Sequence, residues 1–300
     1  MCGIAGLLFK TPTANHVLGH ALATMLDGCQ HRGPDSTGFA LYETPAEGLR
    51  LRFLVEENDQ AALARIRKAL AEQGATLKSE RREGASVVVE VAHAGEIRPF
   101  AYAMEHAAKL VSIGAALDII KDVGTARDLD DIYNVSAIQG SHGLGHVRLA
   151  TESEVKPEAA HPFWATGFAD IAIVHNGQIT NYWKMRRRLE ARDFEFRTDN
   201  DSELIAVYLA DKLAQGTPLE TALAQSVDDL DGTFSFLVST RDGIGFAKDR
   251  LAAKPMVMYE DDSLVAIASE EVSLNRLFPG QPLSTTEPAP GTYRTWSRSI

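Results

Sequence analysis

At 300 residues the chain has the length of about two ordinary domains, and 45% hydrophobic with 24% charged residues is the composition of a folded globular protein, not a disordered one. Thirty basic against 41 acidic side chains leave a net charge of −11, which repels phosphate backbones and anionic lipid and so argues against nucleic-acid or membrane partners. No apolar run reaches the roughly 18–20 residues that span a bilayer.

In chain order, MCGIAGLLF reads as a buried strand opening the chain, with no basic leader or small-residue cleavage site before it. Val17, Leu18, Ala21, Leu22, Met25 and Leu26 recur at helical spacing, predicting a helix over 15–27 that Gly28 stops. The turn-rich HRGPDSTG then leads into a strand at Phe39–Tyr42. From residue 48 the pattern becomes strand 49–55, helix 60–73, strands 76–80 and 86–91, helix 96–109 and strand 110–116. That β-α-β-β-α-β order is the ferredoxin-like pattern. It interrupts a coherent unit, so 47–139 reads as an inserted α+β subdomain and 1–46 with 140–300 as the main domain.

The main unit resumes at 141–150. Strands 171–174 and 178–180 flank Asn176–Gly177, a hairpin signal. Helices follow at 182–191 and 202–214, then hairpins 233–239/245–248 and 255–259/264–268. Many antiparallel strands with a few amphipathic helices predict an α+β protein of two stacked sheets covered by helices.

Two cysteines, Cys2 and Cys29, make no disulfide framework, which points to the reducing cytoplasm. CxxC and HExxH are absent, and His142 and His146, four apart in a glycine-rich strand, do not form a metal motif. Arg186, Arg187 and Arg188 read as a solvated helix face rather than a phosphate site. Cys2 is different in kind. Removal of Met1 would leave thiol and α-amine on one residue, and an amine with pKa near 8 can take a proton from a thiol near 8.5. Taken alone, Met-Cys-Gly reads more simply as a small residue opening a strand.

Its company changes that reading. MCGIAG, HRGPDSTG, GHVRLAT, AHPF, VHNGQITNY, TDNDSELI, DGTFSF, KDRLAAKPM and ASEEVSL stand in the order seen in class II glutamine amidotransferases. Each motif is weak alone; nine in register over 1–44 and about 140–297 are not. The chain therefore resembles that family, whose fold is the four-layer αββα sandwich of the N-terminal-nucleophile hydrolases. The resemblance implies that Cys2 attacks the side-chain amide of glutamine and forms a γ-glutamyl thioester. It makes Asn176 (side-chain NH₂) and Gly177 (backbone N–H) the oxyanion hole. Arg148, assisted by Thr151, would grip the α-carboxylate, and Asp201 the α-ammonium. Asp201 also has a local explanation, since Asn200 and Glu203 stand at capping-box spacing at a helix start. Arg32 and His161 fall in motifs that line the substrate pocket or support its walls. Leu149 and Glu152 depart from the Trp and the His or Asn of many relatives.

Within the family the chain resembles the small amidotransferase subunit of glutamate-synthase-like complexes, including that of N-methylglutamate synthase (methylamine–glutamate N-methyltransferase). That implies glutamine or N-methylglutamine as substrate and ammonia or methylamine as the amine passed on. It also implies synthase subunits as partners, no cofactor or metal in this chain, and a flavin or iron–sulfur group on those subunits. Neither GxxxxGK nor GxGxxG occurs here. Two other readings stay open: a catalytically silent docking subunit, which a blocked N-terminus would favour, and a stand-alone γ-glutamyl amide hydrolase, which would need no partner.

Overall fold

The computed structural model describes residues 2–11, 17–56, 59–150 and 155–298. The elements in order are β1 (Gly3–Phe9), α1 (Leu18–Cys29), β2 (Ser36–Tyr42), β3 (Leu49–Leu54), α2 (Ala62–Glu72), β4 (Thr76–Glu83) and β5 (Ser86–Ala92). There follow α3 (Ile97–Ala107), β6 (Lys109–Gly114), β7 (Leu117–Val123), α4 (Ala126–Tyr133), β8 (His142–Arg148), β9 (Phe163–Trp164), β10 (Ala172–Ile179) and α5 (Tyr182–Glu190). The last are α6 (Asp201–Ala214), α7 (Leu219–Asp229), β11 (Gly232–Thr240), β12 (Gly243–Lys248), β13 (Val257–Glu260), β14 (Leu264–Ala268), α8 (Glu271–Leu277) and β15 (Tyr293–Ser297).

An antiparallel sheet in the order β13-β14-β1-β8-β2-β7 faces a second, β15-β12-β11-β10-β9. β1 is central to the first and buried on both sides, which is why its sequence is a continuous apolar run. Ile4 and Leu8 join Leu144, Val174, Leu237 and Ile244 in the core that includes the layer between the sheets. Ala5 and Leu7 turn outward to Leu22, Met25 and Leu26 of α1. On the opposite outer face, Ile173, Phe234, Phe236 and Val238 pack on Leu204, Ile205 and Val207 of α6. The result is helix, sheet, sheet, helix: the four-layer sandwich the resemblance implies.

The third sheet, β4-β5-β3-β6, with α2 and α3, has the ferredoxin-like strand order. Leu51, Phe53, Val87 and Val89 pack on Ile66, Leu70, Phe100 and Met104. This sheet takes in residues 49–114; β7, though within 47–139, pairs with β2 at the edge of the main sheet. Arg52, 1% exposed, ties the two units: Nε and Nη2 donate to the Asp118 carboxylate of β7 at 2.7 and 2.8 Å. Removing either partner would strand a buried charge.

Two local expectations need correction. Gly28 does not stop α1; it lies inside the helix, and a Cβ there would come within 2.9 Å of the Ser273 Cα, so it is small because α8 crosses at that point. Asn176–Gly177 is not a hairpin turn. β10 runs straight through it, Asn176 opposite Ser235 and Gly177 opposite Phe234 on β11. The long partner strand outweighs the local turn preference, and Gly177 is kept for a different reason: at φ 149°, a Cβ would lie 2.1 Å from the Thr233 carbonyl oxygen.

Candidate active site

β1 and β8 are paired neighbours, Gly3 opposite Val147, so Cys2 and Arg148 emerge side by side at one end of the first sheet. β9 covers only Ala172 and Ile173 of β10, so from Val174 onward β10 has an open edge. Between this edge, the end of β8 and the start of α6 lies a cavity of about 900 Å³. Cys2, Arg148, His161, Asn176, Gly177 and Asp201 all line it.

The Cys2 carbonyl oxygen accepts two hydrogen bonds, from Asn176 Nδ2 at 3.1 Å and from Arg32 Nε at 3.0 Å. The Asn176 amide carries a second N–H, which remains to serve a ligand oxygen. The Cys2 thiol is half-exposed and meets the Leu149 carbonyl at 3.9 Å. Cys29 is its opposite: fully buried, with burial pushing its thiol up to about 11. A thiol so held is inert at neutral pH.

Asp201 is the first residue of α6. Its Oδ2 accepts from the Ile179 N–H at 2.9 Å, and Oδ1 lies 3.4 Å from His175 Nδ1. Burial raises this carboxyl, but the facing His175 and the Ile179 N–H outweigh it, and the net shift is downward. A carboxylate held ionised at a cavity wall suits a cationic ligand group. The capping box is not formed. Asn200 caps the helix through the Ser202 N–H at 2.8 Å, whereas Glu203, 2% exposed, accepts from Arg197 N and Thr198 N, each at 2.8 Å. Arg148 is buried at the cavity wall, and Thr151 and Glu152 fall outside the described residues. Arg32 does not line the cavity. It holds the Cys2 carbonyl from behind and pairs with Glu270.

In the wall itself, through His161, His175 and Ser202, and behind it, through His146, lies a histidine cluster that the motifs contain but that sequence reasoning did not connect. Ser202 Oγ is 2.6 Å from His161 Nε2 and 3.1 Å from His175 Nδ1. One hydroxyl proton can serve only one ring nitrogen. His175 Nδ1 faces the Asp201 carboxylate as well, which favours the proton on that nitrogen, and Ser202 Oγ links the two rings. His161 stacks on His146 at 4.0 Å, and His146 Nε2 meets the His175 carbonyl at 3.2 Å. Lys121 closes the far side, donating to the carbonyls of Ala160 at 2.8 Å and Glu158 at 3.3 Å, with burial pushing its amine down to about 7. Of the three arginines on α5, Arg186 is not a solvated charge: it pairs with Glu190 and Asp199 and contacts the rings of Trp183 and Phe196.

Buried histidines carry a cost in acid. Burial lowers His146 from 6.5 to about 3 and His142 from 6.5 to about 4. Unfolded, both take a proton near 6.5, so the unfolded state binds more protons below that pH and stability falls as pH drops from about 6.5 towards 4. The slope is about 1.4 kcal/mol per pH unit for each histidine. Glu43 and Glu105, raised by burial, act in the opposite sense. The urea midpoint should therefore fall between pH 7 and pH 5, and fall less in His142→Gln. Equal slopes in the two proteins would refute the assignment of a buried neutral His142.

Among the described residues no cluster of three or more His, Cys, Asp or Glu is placed to hold a metal ion, and no helix is long and apolar enough to cross a membrane. The comparisons with known proteins converge with the geometry. A family model described as "Glutamine amidotransferase domain" matches residues 146–276. A Methanothermobacter thermautotrophicus protein named "Putative glutamine amidotransferase" is 40% identical, over 92% of this chain and 94% of its own length. "Glutamine amidotransferase-like protein GlxB" of Rhizobium meliloti is 37% identical, over 99% of this chain and 98% of its own. In fold, the chain is similar to glutamine phosphoribosylpyrophosphate amidotransferase from B. subtilis, with a TM-score of 0.62 at 17% identity, covering 100% of this chain and 50% of that one. An αββα sandwich, a thiol at the mouth of its cavity and relatives matched along nearly their whole length lead to one conclusion: the chain belongs to the class II glutamine amidotransferases.

Proposed function

We propose that the chain hydrolyses the side-chain amide of glutamine at Cys2 and passes the released amine to a synthase subunit. The observation that carries this reading is the meeting of Cys2, Asn176 and Asp201 on one cavity, with the Asn176 amide 3.1 Å from the Cys2 carbonyl.

With Met1 removed, the α-amine of Cys2 takes the thiol proton and Sγ attacks the amide carbon. The carbonyl oxygen becomes an oxyanion that accepts from the second N–H of Asn176 and the Gly177 N–H. Collapse breaks the C–N bond, and the leaving amine takes the proton from the terminal ammonium. A water molecule then attacks the thioester, yields glutamate and returns the proton to sulfur. Arg148 pairs with the substrate carboxylate and Asp201 with its ammonium, so a small zwitterion is oriented from both ends.

The cavity, at the upper end of the usual range of about 300–1,000 Å³ for small-molecule sites, leaves space for a methyl group on the amide nitrogen. That supports N-methylglutamine beside glutamine, and methylamine beside ammonia. Transfer to a 2-oxo acid on a flavin- or iron–sulfur-bearing partner, as in glutamate-synthase-like or N-methylglutamate synthase complexes, completes the reading. Its support is chemical: hydrolysis alone discards the amine.

The test is steady-state release of ammonia and glutamate by the purified chain. Asp201→Asn removes a charge-assisted contact of about 2 kcal/mol, so KM for glutamine should rise roughly thirtyfold. An unchanged KM would take Asp201 out of the pocket, and no release by the wild type would refute the reading.

A further inference from the structure

We infer that the inserted βαββαβ unit braces the segment leading into Asp201, through Arg98 and Tyr102 of α3, and thereby sets the affinity for the ammonium end of the substrate. This rests on the amide-hydrolysis reading above and deepens it.

α3 has two working sides. Phe100, Ala101 and Met104 are buried in the insert's own core. Arg98 and Tyr102, one helical turn apart, face the main domain instead. The Arg98 guanidinium lies 4.1 Å from the Phe194 ring and 5.2 Å from the Phe168 ring, and those two rings stack at 5.8 Å. The Tyr102 hydroxyl accepts from the Glu195 N–H at 3.1 Å, and the Arg197 guanidinium lies 5.2 Å from the Tyr102 ring. The approach is close: at Gly167, φ +89°, a Cβ would lie 2.9 Å from Arg98 Cγ.

Residues 194–200 contain no helix or strand, so external contacts must hold them. One hold is Glu203, on α6, which accepts from Arg197 N, Thr198 N and Thr198 Oγ1. A second is Arg186, on α5, which donates to the Thr198 carbonyl at 3.0 Å and pairs with Asp199. The third is α3, which grips the upstream end at 194–197. Beyond that grip the chain delivers Thr198, Asp199 and Asn200 to the cavity wall and Asp201 to the ammonium position. Loosening the α3 grip leaves Cys2 and Asn176, on β1's leading end and β10, where they are. Affinity should change while the chemical step does not.

The test uses Arg98→Met, which keeps the apolar stem, and Tyr102→Phe, which keeps the ring, singly and together in the full chain. KM for glutamine should rise roughly three- to tenfold in the double variant, with kcat within about twofold, as expected of residues that modulate a site without touching ligand. The inhibition constant of L-glutamate should rise in step, whereas that of glutarate, which lacks the ammonium, should stay. A purely structural contact would move both inhibitors together. Unchanged KM, a fall in kcat alone, or a parallel shift of glutarate would overturn the inference while leaving the hydrolase reading intact. A wild type that releases no ammonia would overturn both. If the double variant does not fold, Tyr102→Phe alone, which deletes one hydroxyl, carries the same comparison.

Discussion

Cys2→Ala should abolish amide hydrolysis, lowering the rate of ammonia release by at least about 10⁴-fold, the scale on which loss of a nucleophile is felt. No other thiol can stand in, because Cys29, the last residue of α1, is fully buried and held protonated. The fold should barely notice the change. The Cys2 side chain is partly exposed and its sulfur makes one 3.9 Å contact, so the stability read from urea unfolding should shift by no more than about 0.5 kcal/mol. Loss of activity with stability kept identifies sulfur chemistry. Residual turnover near the wild-type rate would identify a different nucleophile.

Asn176→Ala should lower kcat by about 10²–10³-fold and leave KM nearly unchanged, as for removal of one oxyanion donor. The competing explanation is that Asn176 only secures the start of β1 through the Cys2 carbonyl. Arg32 Nε donates to that same oxygen at 3.0 Å, so the alanine variant retains one anchor there. If securing the strand were the whole role, Asn176→Ala would lower stability and raise KM with kcat intact. The Gly177 N–H, the second proposed donor, cannot be removed by substitution. Even Gly177→Ala puts a methyl against the Thr233 carbonyl, so that variant tests backbone shape rather than chemistry.

Much of the sandwich was legible because its central strands are buried on both faces. A continuous apolar run such as Ile4–Phe9 and the alternating strands after residue 232 announce themselves, and the insert's helix and strand periods matched the β3–α2–β4–β5–α3–β6 order. Local signals failed where tertiary packing overrode them. Asn176–Gly177 has turn chemistry but lies in a strand, held open by pairing with β11 on one side and left uncovered by β9 on the other. Gly28 has the chemistry of a helix stop but serves a helix crossing. Three short helices, α4, α7 and α8, went unread, although Thr125 and Asp128 form a capping box that marks the first of them.

The site was legible as residues and not as a network. Cys2, Arg148, Asn176, Gly177 and Asp201 stand in motifs, and the cavity gathers all five. The His146–His161–Ser202–His175 cluster joins β8, the segment before β9, α6 and β10, four stretches with no mutual spacing in the sequence. The same holds for Arg32. Its motif suggested the pocket lining or the support of its walls, and its contacts are with the Cys2 carbonyl and Glu270, off the cavity surface.

The most direct measurement is intact-protein mass spectrometry before and after exposure to 6-diazo-5-oxo-L-norleucine, a glutamine-shaped electrophile. The predicted result is a starting mass lacking Met1 and one adduct per chain, carried by the Cys2 sulfur and blocked by excess glutamine. A chain that keeps its methionine or an acyl cap, takes up no label and still releases ammonia from glutamine would contradict it.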